Sequence, residues 1–91
     1  MVWETRMPNK RKTLEKYAVV LNNDDHNSME KVIAALILIA SMRVDAAVKM
    51  ALYIHNEGSG VIGTWHLELA ETIMANLNEA GLTSVIAKVI K

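Results

Sequence analysis

The side chains with the most chemistry to offer are those of Asn23, Asp24 and His55. Asparagine and aspartate supply acceptor oxygens, and a neutral imidazole nitrogen supplies another. Acceptors gathered at one mouth suit a ligand group that has only donors, such as the free α-ammonium of a polypeptide. Met29, Val32 and Ala51 are apolar and spaced to receive the side chain that follows such an amine. On spacing alone, a structural alternative has the stronger claim. Residues 22–25 read as a turn whose side chains bond nearby backbone, and a histidine near a helix C-terminus is favoured by the helix dipole.

Nothing else along the chain assembles a catalytic constellation. It has no nucleophile-elbow serine, no glycine-rich phosphate loop and no His-Glu-x-x-His pair. His66 and Glu68 are two residues apart and would not face each other on a helix. Asp24, Asp25 and His26 carry metal-ligating atoms but lack the glycine and distal glutamate of a calcium loop. A metal-dependent enzyme built on these residues or on His55 has residue types in its favour and no supporting spacing. With no cysteine, the chain has no disulfide framework, thiol nucleophile or thiolate zinc site.

The 91 residues are enough for one domain with a modest core. A hydrophobic content of 52% argues against a disordered chain, and a formal net charge of zero argues against nucleic acid as the main partner. The charge is nevertheless uneven. Residues 1–16 carry Arg6, Lys10, Arg11, Lys12 and Lys16 against Glu4 and Glu15, a net of +3, which leaves −3 for residues 17–91. A flexible basic extension over residues 1–16 is expected, followed by one mildly acidic domain over 17–91. The basic start is not followed by an apolar stretch, so no secretory signal is expected. The longest apolar run, residues 32–40, falls well short of the roughly 20 residues of a membrane span. The expected setting is cytoplasmic, with no membrane partner.

The residues above must be positioned by a small set of elements. Residues 17–21 (YAVVL) are β-branched, aromatic and few, which predicts a strand. Asn27 and Glu30 have the spacing of a capping box, and a helix is predicted over about 28–40. Asp45 suits the N-cap of a second helix through Ile54, with Gly58 as its stop. Residues 60–63 (GVIG) fit a short central strand. Thr64 suits the cap of a third helix, and Gly81 stands where a C-cap glycine belongs. Residues 82–90 alternate loosely and predict a last strand. The order β-α-α-β-α-β predicts an α+β fold: one small sandwich of a three-stranded antiparallel sheet and three helices.

Residues 17–32, YAVVLNNDDHNSMEKV, resemble the ClpS family of Clp-protease adaptors, in which a strand leads into Asn-Asp-Asp, a short linker, Met-Glu and a helix. His55-Asn56-Glu57-Gly58 is similar to the family's His-x-x-Gly, and Ala70-Glu71 to the Ala-Glu of its third helix. Gly81-Leu82-Thr83-Ser84 resembles the ending of the shorter cyanobacterial and plastid members. The likeness runs from residue 17 to about 86, and the order and mutual spacing of the motifs carry it.

The resemblance implies a non-enzymatic adaptor without a cofactor. Such an adaptor binds substrates bearing bulky hydrophobic N-terminal residues, the N-degrons, and delivers them to a Clp AAA+ ATPase. Carried over by position, Asn23, Asp24 and His55 would hold the α-amine. Asn27, Met29, Val32, Ala51 and Leu82 would line the side-chain pocket. Glu68 would touch the N-terminal domain of the ATPase, and the basic extension would engage the ATPase during delivery. Three positions depart from the family pattern. Asn27 stands where proteobacterial members have threonine, Ala51 replaces a pocket methionine with Met50 one place earlier, and Ile73 replaces a lysine associated with docking. Ala51 also leaves room for an alternative, an ATPase modulator that binds the N-terminal domain without reading N-degrons.

Overall fold

The computed structural model describes residues 15–24 and 26–89. The expected extension lies outside these residues except for Glu15 and Lys16, and Asp25 also lies outside them. Six elements follow in order: β1 (Tyr17–Asn22), α1 (Met29–Leu38), α2 (Val44–Glu57), β2 (Ser59–Trp65), α3 (Leu67–Glu79) and β3 (Thr83–Lys88). This is the predicted β-α-α-β-α-β succession, and its three strands form one antiparallel sheet in the order β2-β1-β3. Among the described residues, no helix is long and apolar enough to cross a membrane.

β1 lies in the centre of the sheet and the predicted central strand at 60–63 is an edge. An apolar GVIG run invites a central placement, but β1 is the segment buried most continuously, with Val19 and Leu21 inaccessible. Side chains of a strand alternate between faces. Val19, Leu21, Ile62 and Ser84 point into the core, while Val61 and Val85, both paired with Val20, stand half exposed on the opposite face. The pairing of β1 with β2 shifts register between Val19 and Val20, a bulge that lets Gly63 and Val61 oppose consecutive β1 residues.

The helices cover the inner face. Ala35 and Leu36 of α1, Ala47, Ala51 and Ile54 of α2, and Ala70, Ile73 and Leu77 of α3 form one core with the strands. α2 packs on β2, α3 on β3 and β1, and α1 pairs with α2. Ile73 is part of this core, so the exchange of a lysine for isoleucine there changes an inward-facing position.

The helix ends show where local signals were outvoted. Ser28, not Asn27, caps α1: its Oγ accepts from Lys31 N at 3.1 Å. The Asn27 side chain is committed elsewhere, donating from Nδ2 to Gly81 O at 3.0 Å. α1 ends at Leu38, two residues early, and Ser41 takes a left-handed φ of 59° in the tight connection to α2. α2 begins one residue before Asp45, with Arg43 as an N-cap that makes no side-chain bond; Asp45 instead places its charge in the first turn, where it favours the positive helix end. Thr64 remains in β2, and His66 caps α3 through Nδ1, which accepts from Leu69 N at 3.5 Å.

The C-terminal signals held. α3 closes with a Schellman motif: Gly81 at φ 93° donates to Asn78 O, and Leu82 N donates to Leu77 O, with Leu77 and Leu82 both buried. The buried Ser84 then ties β3 back to α3. Its N and Oγ both donate to Asn78 Oδ1, and its Oγ also reaches Met74 O.

At Gly63 the Trp65 ring lies so close that an added Cβ would stand 2.5 Å from it. Gly63→Ala must displace a ring that packs on the core, and we expect a loss of about 1–3 kcal/mol in denaturant unfolding. Trailing the same change behind Trp65→Leu removes the clash. The double variant should therefore be no less stable than Trp65→Leu alone.

Candidate functional site

The site is built where three chain segments end together. β1 delivers Asn23 and Asp24 at its exit, and α2 delivers His55 in its last turn. The two exits are joined through Asn23 N, which donates to Gly58 O at 2.7 Å. Gly58 stops α2 with φ 95°, a left-handed conformation that glycine adopts at no steric cost. This turn sends the chain back into β2 and aims its own carbonyl at Asn23. Beyond Asn23, Asp24 Oδ1 accepts from His26 N at 2.7 Å and Asp24 O accepts from Asn27 N at 3.3 Å. The turn predicted for this stretch is present, and it fixes the Asp24 carboxylate. Two carboxylate oxygens accept more than one donor, so the turn leaves acceptor capacity for a ligand.

A cavity of about 110 Å³ opens at this junction. Its mouth holds Asn23, Asp24 and His55, and its body is lined by Met29, Val32, Ala51 and Leu82, with Asn27 beside them. The eight residues expected to form one site therefore meet around one space. The walls are firm where they are deepest: Leu82 and Ala51 belong to the buried core. The mouth is open, with Asn23 and His55 exposed and Asp24 half-buried. Acceptors in reach of water at one end and a dry apolar body at the other make a receptor for a compact cation carrying an apolar side chain.

Three lining residues were not foreseen: Leu21, Asn22 and Ile54. Ile54 was legible in principle. It stands three residues after Ala51, on the same helical face as Ala51 and His55. Leu21 and Asn22 follow from β1 ending at the cavity, which needs the sheet to be known.

Met50 does not contribute to this cavity. It turns toward β2, where its sulfur lies 3.2 Å from the position of a Cβ on Gly60. The wall at this level is Ala51 alone. Glu68 is exposed on the first turn of α3 and takes no part in the cavity.

The far wall is held by a long-range contact. Asn27 and Gly81 are 54 residues apart, and their 3.0 Å bond fastens the loop after β1 to the turn that presents Leu82. The Schellman turn that carries Gly81 and the loop that carries Asn27 are thus one unit.

The family model described as ATP-dependent Clp protease adaptor protein ClpS matches residues 12–85. The chain belongs to the ClpS family. A Vibrio cholerae protein described as ATP-dependent Clp protease adapter protein ClpS is 43% identical over 61 residues. That match takes in 67% of this chain, which spans 58% of the length of the Vibrio relative. Among solved structures, Agrobacterium tumefaciens ClpS2 bound to L-phenylalaninamide superimposes with a TM-score of 0.76 at 27% identity, covering 82% of this chain and 98% of ClpS2. The ClpS match extends from before β1 into β3 and so includes every cavity-lining residue named above.

Replacing Asn27 by alanine removes the bond to Gly81 and leaves a carbonyl to water. We expect about 1 kcal/mol of lost stability, read by urea unfolding, and faster amide exchange at Gly81 and Leu82 than elsewhere in β3.

Proposed function

We propose that this protein is a non-enzymatic adaptor that captures the free N-terminus of substrate proteins and presents them to a Clp AAA+ ATPase. One observation carries the reading: a single cavity has its acceptors at the mouth and its apolar side chains in the body. An α-ammonium bound there donates to Asn23, Asp24 and His55, and the first side chain enters between Met29, Val32, Ala51 and Leu82. L-phenylalaninamide, the ligand named for Agrobacterium ClpS2, has a free α-amine and one bulky apolar side chain, which are the two features this cavity would select.

The mechanism is recognition by desolvation. Polar groups at the mouth exchange water for a ligand only if the ligand satisfies them, and an internal peptide bond offers one donor in place of three. Capture of an N-terminal amine is therefore selective for chain ends. Glu68, exposed on α3 and outside the cavity, is assigned to the N-terminal domain of the ATPase, so that substrate and ATPase are held by different faces.

The test is a titration of a peptide beginning with leucine or phenylalanine, free and N-acetylated. Acetylation should weaken binding at least about tenfold, the equivalent of about 1.4 kcal/mol. Asp24→Ala should be comparably damaging, because Asp24 is the carboxylate placed at the ammonium. Equal affinity for the free and acetylated peptides would refute amine capture. Binding of the ATPase with no affinity for either peptide would identify a modulator that does not read N-degrons.

Residues 1–16 are assigned to delivery, not to substrate binding. Their removal should leave peptide affinity within about twofold of the full chain, a change of under 0.5 kcal/mol, and should abolish stimulated degradation of an N-degron substrate. A large loss of peptide affinity would place the extension in the pocket.

A further inference from the structure

Ala51 is the smallest side chain on the cavity wall, and it stands one turn of α2 before His55. Residues four apart lie on one helical face, so the Ala51 methyl sits about 5–6 Å from the base of the His55 side chain along the wall, directly inside the mouth. A ligand whose ammonium rests against His55 has its β-carbon about 2.5 Å further in. The substituents on that β-carbon therefore fall at the level of Ala51, before the deeper contacts with Val32 and Leu82 begin. A side chain that branches at the β-carbon needs width at this level. One that branches at the γ-carbon needs it lower down.

The rest of the wall cannot take up the space that Ala51 leaves. Met50 is turned against Gly60 on β2 and lines a different groove with Tyr53 and Val61. Ile54 and Ala51 are each 2% exposed and fixed in the core, where a shift would disturb neighbours packed at crystal-like density. Opposite them stands Met29, half-buried at the start of α1, whose unbranched thioether adapts to the ligand presented.

Resting on the amine-capture reading above, we infer that Ala51 makes this cavity a receptor for β-branched N-terminal residues, isoleucine and valine, alongside leucine. Ala51 is then the residue that sets specificity at the β-carbon, by what it lacks. A space beside the ligand with no partner atoms forfeits contacts, and a β-methyl group supplies them.

The experiment compares peptides that differ only in a first residue of Leu, Ile, Val or Phe, on the full chain, with N-acetyl-Leu as control. Isoleucine and valine should bind within about tenfold of leucine. Ala51→Met should weaken isoleucine and valine at least about tenfold while changing leucine and phenylalanine by less than about threefold. Ala51→Val is a smaller intrusion into the core and should show the same ranking if the methionine variant melts early. Wild-type rejection of isoleucine and valine with leucine bound would overturn this inference and leave amine capture standing, with Met29 then closing the mouth. Loss of all four peptides in equal measure in the Ala51 variants would also overturn it. Failure to distinguish free from acetylated leucine would overturn amine capture and this inference with it.

Discussion

One main-chain hydrogen bond underlies the site: Asn23 N to Gly58 O, at 2.7 Å. It joins the exit of the central strand to the exit of α2, and the cavity mouth is the space those two exits enclose. Neither Asn23 and Asp24 nor His55 would define a site without it, since they lie more than thirty residues apart in the chain. The bond depends in turn on a left-handed residue at 58, because a helix that ran on would carry its carbonyl away from Asn23. A backbone constraint thus comes before the side-chain chemistry. The recognition groups stand at the ends of regular elements, where their positions are inherited from the packed core.

Much of this was legible in the sequence, for reasons that differ by residue. The strand at 17–21, the glycine stops at 58 and 81, and the order of the six elements came from local chemistry that tertiary packing had no reason to oppose. The caps of all three helices were misplaced by one or two residues, because each cap is a competition. Asn27 suits a capping box, but its amide makes a bond to Gly81 that no local pattern reveals, and Ser28 takes the cap. His66 has a ring nitrogen that serves as an acceptor, which a preference for Thr64 overlooks. The edge position of β2 was not readable from GVIG, because four residues cannot report how many neighbours a strand has.

The cavity shows the same division. Residues carried over from motif positions met around one space, while Leu21, Asn22 and Ile54 entered it through the sheet and through helical phase. The displaced methionine at 50 is the clearest case of a question that sequence raises and packing decides. One position is about 100° of helix rotation, and that rotation sends the side chain to Gly60 and away from the mouth.

The central placement of β1 bears on how the chain reaches its native state. The first strand to be synthesised pairs with β2, some forty residues later, and with β3, which begins at Thr83. Neither edge of β1 can be satisfied until those partners have left the ribosome, so the sheet closes late and through contacts of long sequence separation. Such closure is slow relative to helix formation. In the meantime the Val19 and Leu21 face of β1 is exposed beside unpaired backbone. The helical hairpin of α1 and α2, made entirely of local contacts, is free to form first and to shelter that strand while it waits for its neighbours.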